Sequence, residues 1–467
     1  MTTVPVTEIQ AALREALGAA VITDPAILEG LRADKSGQRS TGAPIALVEA
    51  RTIDDVQRTL RFATEHHVPV VPRGAGTGIA GAAIAGPGEL VLSTLRMNRI
   101  LEVSAEDELA VVEPGIINAE LNAALAPQGL WFAPDPASRA ISSIGGNIAT
   151  NAGGLLCVKY GVTREAVLGL KVVLADGRLL SLGRRTVKGV TGYDLTALMV
   201  GSEGTLGVIV EATLRLRHLQ TGPVATLSAS FATVEQAASA ASGIVSAGIR
   251  PAIMELLDGS ALEGIGAYLD LELTRADADR GGAQLIVQTD GSGAETEASD
   301  AAAVIRSHGG EVEVTLDAAE GERLFAIRRA FHPAMEKQGT VLIEDVAVPR
   351  SALPAMFAAI ERIEAKYGIS IPTVAHAGDG NLHPNFIIEK DTATGDEVPD
   401  HIWAAADELF LDCLRLGGTL TGEHGVGLLK RRWLRDELGD DSYDLQRKLK
   451  AVFDPLGILN PGKVFTS

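Results

Sequence analysis

The chain has 467 residues, 46% of them hydrophobic, 51 of them glycine and only 4% aromatic, which fits two packed domains of mixed helix and sheet and excludes a disordered or fibrous protein. A formal charge of −19 with no basic run to offset it repels phosphate backbones and anionic membrane surfaces, so nucleic acid is excluded as a partner. The two cysteines, Cys157 and Cys413, match neither a metal spacing nor a disulfide framework and read as packing residues of a reducing compartment.

The stretch from Met1 to Ala20 mixes Glu8, Arg14 and Glu15 with apolar residues, predicting an amphipathic helix and no signal peptide. No apolar run approaches the ~20 residues that span a bilayer, so a cytoplasmic protein is expected. From Ala43 to about Arg217, β-rich runs alternate with glycine-rich turns: Ile45 to Val48, Val68 to Val71, Leu90 to Leu92, Leu109 to Val112, Leu168 to Leu174 and Leu206 to Val210. Helices are predicted after Asp54 and Asp55, and from Ile117 to Ala126 before Pro127. After Thr221-Gly222-Pro223, strand, Ala-rich helix and strand succeed one another: Ala225 to Phe231, Val234 to Ala247, Ala252 to Leu257, Ala283 to Asp290 and Ala298 to His308. That order is ferredoxin-like. It places a first domain over 1–220 with its core at 43–217, a second over 221–450, and a tail at 451–467 that docks on the first.

Within the first domain, Pro72-Arg73-Gly74-Ala75-Gly76-Thr77-Gly78-Ile79-Ala80-Gly81 satisfies Gly-x-Gly-x-x-Gly, yet Gly86-Pro87-Gly88 arrives where a Rossmann helix would have to run. NAD on a Rossmann fold is thereby excluded. The glycines either offer N–H groups to phosphate oxygens, with Arg73 alongside, or merely turn the chain. A second loop of glycine, amide and hydroxyl residues spans Ser142 to Gly154, and a third is Gly201-Ser202-Glu203-Gly204-Thr205-Leu206-Gly207-Val208-Ile209. Three such loops suit one long cofactor with pyrophosphate, adenine and isoalloxazine, namely FAD.

In the second domain, His376-Ala377-Gly378-Asp379-Gly380-Asn381-Leu382-His383-Pro384-Asn385 lies between two β-rich runs, Ile369 to Val374 and Asn385 to Ile388. Asp379-Gly380 as a two-residue turn pairs Gly378 with Asn381 and Ala377 with Leu382, setting His376 opposite His383 with Asn385 on the same face. Two such imidazoles are either half of a metal site or a buried pair in a core. Thr419 to Gly427 follows a helix of about His401 to Leu416 that stops at Gly417-Gly418. Its Glu423 and His424 stand among glycines where packing does not demand them, and two histidines with one carboxylate and an open position are a catalytic metal arrangement.

These motifs, with Lys159-Tyr160-Gly161 and Lys188-Gly189-Val190-Thr191-Gly192-Tyr193-Asp194-Leu195, resemble the FAD-binding domain of the vanillyl-alcohol oxidase/p-cresol methylhydroxylase (PCMH-type) superfamily. From about Ala43 to Val464 the chain resembles its branch of glycolate oxidase flavoprotein subunits, D-lactate dehydrogenases and D-2-hydroxyglutarate dehydrogenases. The resemblance implies an α+β chain: a PCMH-type FAD-binding domain, then a ferredoxin-like substrate or cap domain. It implies FAD contacts at Pro72, Arg73, Gly74, Ala75, Gly76, Thr77, Gly78, Gly81, Pro136, Ser142, Gly145, Gly146, Asn147, Thr150, Asn151, Gly153, Glu203, Gly204, Gly207, Val208, Ile209 and Asn460. Some relatives tether FAD through a histidine near the first loop; Gly74 to Gly81 has none, so the FAD is expected to be non-covalent.

The resemblance further assigns a divalent ion, zinc ahead of manganese or iron, to His376, His383 and Glu423, a proton-accepting role to His424, a substrate-contacting amide to Asn385 and a carboxylate clamp to Arg328. The expected reaction is oxidation of a small D-2-hydroxy acid such as D-lactate or glycolate, its C2 hydride passing to flavin N5. Members that prefer 2-hydroxyglutarate carry a Thr four residues after that Arg and a Lys two before the Asp of Asp345-Val346-Ala347-Val348-Pro349. His332 and Ile343 stand at those positions here, and an unpaired second carboxylate costs ~1–3 kcal/mol, which favours a monoacid. D-2-hydroxyglutarate oxidation, and an ether-forming transfer of the alkylglycerone-phosphate synthase type, are the alternatives. Reduced flavin needs an acceptor, whether a quinone, a cytochrome, an electron-transfer flavoprotein or a companion subunit, and through it the protein could be peripheral to a membrane; a homodimer is also compatible.

Overall fold

Thr52 starts the first long helix of the fold, its hydroxyl accepting from Asp55 N while the Asp55 carboxylate accepts from Thr52 N. The helix, Ile53–His66, turns Val56, Leu60 and Ala63 inward and stops at His67, whose backbone is left-handed. This computed structural model describes residues 5–274, 282–388 and 398–466. Among them the chain divides into two units: Met1–Gly154, Gly161–Leu219 and Glu423–Ser467 make the first, Leu155–Tyr160 and Gln220–Gly422 the second.

The first unit holds two main sheets. Strands β1 (Val21–Ile22), β2 (Ala46–Glu49), β3 (Val70–Arg73) and β4 (Leu90–Ser93) form a sheet in the order β1-β2-β4-β3. Both β2 and β3 run parallel to β4. Every residue of β4 is buried, as expected of a parallel strand covered on both faces. Next come β5 (Ile100–Ser104), β6 (Leu109–Val112), β7 (Leu130–Trp131), β8 (Val167–Val173), β9 (Leu179–Gly183), β10 (Val208–Arg215) and β11 (Arg217–His218). Five of them build an antiparallel sheet, β5-β6-β10-β8-β9, and β7 pairs with β11. Sequence pattern missed β5 and β9, the two edge strands of that sheet, none of whose residues is fully buried.

The amphipathic N-terminal helix is present as Val6–Leu17 and buries Leu13 and Leu17 against the first core, beside Leu60, Val70 and Leu92. The C-terminal tail joins the same sheet: Val70 N donates to Ile458 O and Asn460 N donates to Val70 O, each at 2.7 Å. Asp454 fixes the approach, accepting from Ile458 N at 3.1 Å, from Leu459 N at 2.7 Å and from Lys450. The tail is not the whole of the return, however. The chain re-enters the first unit at Glu423, not near residue 450, so the helix Leu434–Phe453 belongs there as well. Asp454-Pro455 is a visible break in the sequence, whereas Glu423 follows Gly422 inside one uniform glycine-rich stretch.

The second unit opens with β12 (Val224–Phe231), β13 (Ile253–Asp258), β14 (Ala283–Asp290) and β15 (Glu311–Thr315), antiparallel in the order β15-β12-β14-β13. Fourth, first, third, second is the ferredoxin-like arrangement, with helices Val234–Ser246 and Ala294–Ser307 as its crossovers and Gly259–Leu269 added between β13 and β14. Then β16 (Thr340–Ile343), β17 (Val346–Ala347), β18 (Thr373–His376) and β19 (Asn381–Ile388) extend it, β18 pairing with the outer edge of β13. That edge brings His376 opposite Glu255. Neither cysteine is in a disulfide; Cys413 is buried and Cys157 half-buried. No helix among the described residues is long and apolar enough to cross a membrane.

Candidate active site

A cleft of about 300 Å³ opens in the first unit, lined by all three glycine-rich segments. From the first come Pro72 to Ile79, from the second Ser143, Gly145, Gly146, Asn147, Thr150 and Gly153, from the third Glu203, Gly204, Gly207, Val208 and Ile209, with Pro136 between. The second segment is a short helix, Ile144–Thr150, where the sequence suggested a loop: Ser143 caps it by accepting from Gly146 N, a device its glycines obscured. Close approach requires two of these glycines. A Cβ on Gly74 would stand 2.4 Å from Ser143 Oγ, and one on Gly145 2.6 Å from Pro114 Cβ. As the Rossmann exclusion requires, no helix separates β3 from β4.

Four residues assigned to the cofactor lie outside this lining: Gly81, Ser142, Asn151 and Asn460. They brace it. Ser142 Oγ accepts from Asn147 Nδ2 at 3.1 Å and Asn151 Oδ1 from Arg164 N at 2.8 Å, while Asn460 Nδ2 donates to Glu203 O at 2.7 Å. Gly81, at positive φ, packs against Leu428, where an added Cβ would lie 3.1 Å from Leu428 Cβ. Arg73 borders the cleft, but its guanidinium donates to Ala83 O at 2.5 Å and Ala33 O at 3.0 Å and lies against Gly76. Burial lowers its pKa, and its visible work is to hold the first loop from behind.

Glu423 and His424 line the same cleft, which sequence spacing alone did not reveal. His424 Nε2 stands 3.9 Å from Glu423 Oε1. Gly153 packs so close that an added Cβ would come within 2.6 Å of Glu423 Oε2. The residues fit FAD: glycines let three backbone segments converge on one cleft.

In the second unit, β18 and β19 form the expected hairpin with a different register. His376 pairs with Asn381 and Val374 with His383, so the connection is the four residues Ala377 to Gly380. Asp379 N and Gly380 N both donate to His376 O at 3.0 Å, closing a longer turn than two residues allow. The slip is even, so both histidines keep the same face, and their rings meet edge-to-face with centroids 5.0 Å apart.

A carboxylate stands behind each ring. His376 Nδ1 lies 2.6 Å from Glu255 Oε1, and His383 Nδ1 lies 3.8 Å from Asp345 Oδ1. Asp345 also accepts from Asn381 Nδ2 at 2.6 Å and Thr421 Oγ1 at 2.7 Å. Of the two ring contacts, only that of His376 is within hydrogen-bonding distance. Two adjacent imidazoles, one of them oriented by a carboxylate, are a donor set that suits a divalent ion. Arg328, on helix Ala318–Arg329, donates from Nε to Glu255 Oε2 at 2.8 Å. Sequence reasoning passed over Glu255, although a lone acid within the apolar run of β13 was a signal. Asn385 follows on the histidine face opposite Ile343; its Nδ2 donates to His383 O at 2.8 Å, and its buried Oδ1 has no partner among the described residues. His332 is half-exposed and sits 3.1 Å from Glu336 of its own helix.

Family models match both parts of the chain: "FAD binding domain" over residues 44–183 and "FAD linked oxidases, C-terminal domain" over residues 222–464. The chain is 42% identical to glycolate oxidase subunit GlcD of Bacillus subtilis (strain 168), over 90% of this chain and 89% of that one. It is 36% identical to a D-2-hydroxyglutarate dehydrogenase of Xanthomonas citri pv. viticola, over 95% and 93% of the two chains. Substrate-bound p-cresol methylhydroxylase shares the fold at 18% identity, with a TM-score of 0.79 over 98% of this chain and 97% of that one. The protein therefore belongs to the FAD-linked oxidases, with a PCMH-type FAD-binding domain and an α+β second domain.

Proposed function

We propose that the protein oxidises a small D-2-hydroxy acid, D-lactate, glycolate or a similar monoacid, to the 2-oxo acid. The observation that carries this reading is that His424, next to Glu423, lines the same cleft as the three glycine-rich segments. When bound, FAD supplies the two-electron acceptor, and a divalent ion, zinc first, lowers the pKa of the substrate hydroxyl. His376, His383 and Glu423 would hold that ion. Arg328 takes the substrate carboxylate on its remaining N–H groups, and Asn385 offers its uncommitted Oδ1 to the substrate. His424 removes the hydroxyl proton through an imidazole nitrogen. The C2 hydrogen leaves with its electron pair, so the acid loses two electrons and two protons in all.

Both named relatives act on 2-hydroxy acids, one a monoacid and one a diacid. Ile343 favours the monoacid, because it stands directly across from Asn385 and offers no charge to a second carboxylate. The Bacillus relative is named as a subunit, which favours a companion protein among the electron acceptors. The deciding experiment is an anaerobic screen of D- and L-2-hydroxy acids, following loss of flavin absorbance with and without a chelator. D-lactate or glycolate should bleach the flavin faster than D-2-hydroxyglutarate, and chelation should stop bleaching without releasing flavin. Faster bleaching by D-2-hydroxyglutarate sinks the monoacid assignment, and undiminished bleaching after chelation sinks the metal.

A further inference from the structure

Glu255 stands on β13 with its side chain fully buried, and its two oxygens serve different partners. Oε2 accepts from Arg328 Nε at 2.8 Å, while Oε1 lies 2.6 Å from His376 Nδ1. A buried carboxylate is costly unless paired and hydrogen-bonded, and here one charge satisfies two groups at once. Each contact also fixes what its partner has left to offer. An ionised carboxylate only accepts, so a neutral imidazole facing it carries its proton on Nδ1 and its lone pair on Nε2. A guanidinium that spends Nε on Glu255 keeps its Nη1 and Nη2 edge for a second, bidentate carboxylate.

We infer that Glu255 is a shared positioning residue, a proposal that rests on the function given above: it prepares His376 Nε2 for the divalent ion and the Nη edge of Arg328 for the substrate carboxylate. A 2-hydroxy acid carries hydroxyl and carboxylate on adjacent carbons, so the two anchors that receive them must keep one separation. A single carboxylate bound to both anchors sets it. Asp345, the carboxylate beside His383, gives its own oxygens to Asn381 and Thr421.

The test is Glu255→Gln, whose shape is conserved while its chemistry cannot satisfy both partners. If the amide nitrogen faces His376, Nδ1 becomes the acceptor and the proton moves to Nε2; if it faces Arg328, two donors meet. In flavin-loaded protein, zinc affinity measured against a chromophoric chelator should fall ~10–100-fold. D-lactate affinity in the zinc-stripped protein, read from perturbation of the flavin spectrum, should fall about tenfold, a charge-assisted hydrogen bond's worth. Loss of one affinity with the other intact overturns the shared role. Wild-type protein that binds zinc and D-lactate, with both affinities unchanged in Glu255→Gln, overturns this inference alone. Wild-type protein that binds neither overturns the proposed function and the inference together. Should the variant fail to fold, the ¹⁵N spectrum of His376 in zinc-stripped wild-type protein decides: an Nδ1–H tautomer supports the proposal and an Nε2–H tautomer refutes it.

Discussion

Glu203 gives both carboxylate oxygens to the backbone beyond His424, Oε1 accepting from Val426 N at 2.8 Å and Oε2 from Gly427 N at 2.9 Å. Complete burial nevertheless outweighs these two amides and pushes its pKa up to about 7. The folded protein thus holds this proton where the unfolded chain, near 4.5, has lost it. The group's contribution to stability is then present below pH 4.5 and declines as pH rises to about 7, by about 3 kcal/mol at most. Glu203→Gln should flatten that slope in urea unfolding of the FAD-free protein between pH 5 and pH 8. Identical slopes in the two proteins would exclude the effect.

Two alanine substitutions in the cleft should separate cofactor binding from the rest of the site. Gly145→Ala drives a Cβ into Pro114 Cβ and backbone, so the protein should purify without colour. Gly153→Ala meets instead Glu423 Oε2, the movable end of a side chain. It should stay yellow yet lose zinc affinity and turnover ~10-fold or more. Gly153→Ala with unaltered zinc affinity counts against Glu423 as a ligand.

The tail should contribute out of proportion to its length. Asp454 is buried and anchors Lys450, Ile458 N and Leu459 N together. Asp454→Ala leaves Ile458 N and Leu459 N without this acceptor and the Lys450 ammonium with Leu459 O but no counter-charge there, which costs roughly 3–5 kcal/mol. A urea midpoint close to wild type would show the tail to be an accessory.

The flavin should come off the protein in acid. His424 is the sole imidazole lining the cleft among the described residues, and neither Cys nor Tyr joins it. Trichloroacetic acid should leave the colour in the supernatant; a yellow pellet points to a covalent link, and loss of that link in His424→Ala would locate it.

What the sequence made legible follows from how locally each feature is encoded. The Asp-Gly pair announced a hairpin, but which of its residues turn depends on whether Asp379 N and Gly380 N both reach His376 O, and pattern does not show that. Face survived the error because an even slip preserves alternation. The cofactor cleft was readable from glycine, the one residue that lets backbones converge, while the helix at Ile144–Thr150 was hidden by those same glycines. Glu255 and Asp345 escaped notice since a supporting carboxylate has no spacing relation to the histidine it backs; only strand pairing, Glu255 opposite His376, brings them together. The return at Glu423 was invisible for a related reason, because chain direction changes there without a change of composition.

That return also orders events during synthesis. The lining of the cleft runs from Pro72 to His424, so no nascent chain that ends before residue 424 presents a finished cofactor site. At ~5–20 residues per second, roughly 20–70 s separate the emergence of its first wall from its last. The second unit, whose residues all lie ahead of Glu423, is complete on the ribosome before then. Completion of the cleft is therefore a late event in the life of each molecule, and a ribosome stalled within the second unit leaves behind a chain whose cleft lacks its Glu423–His424 wall.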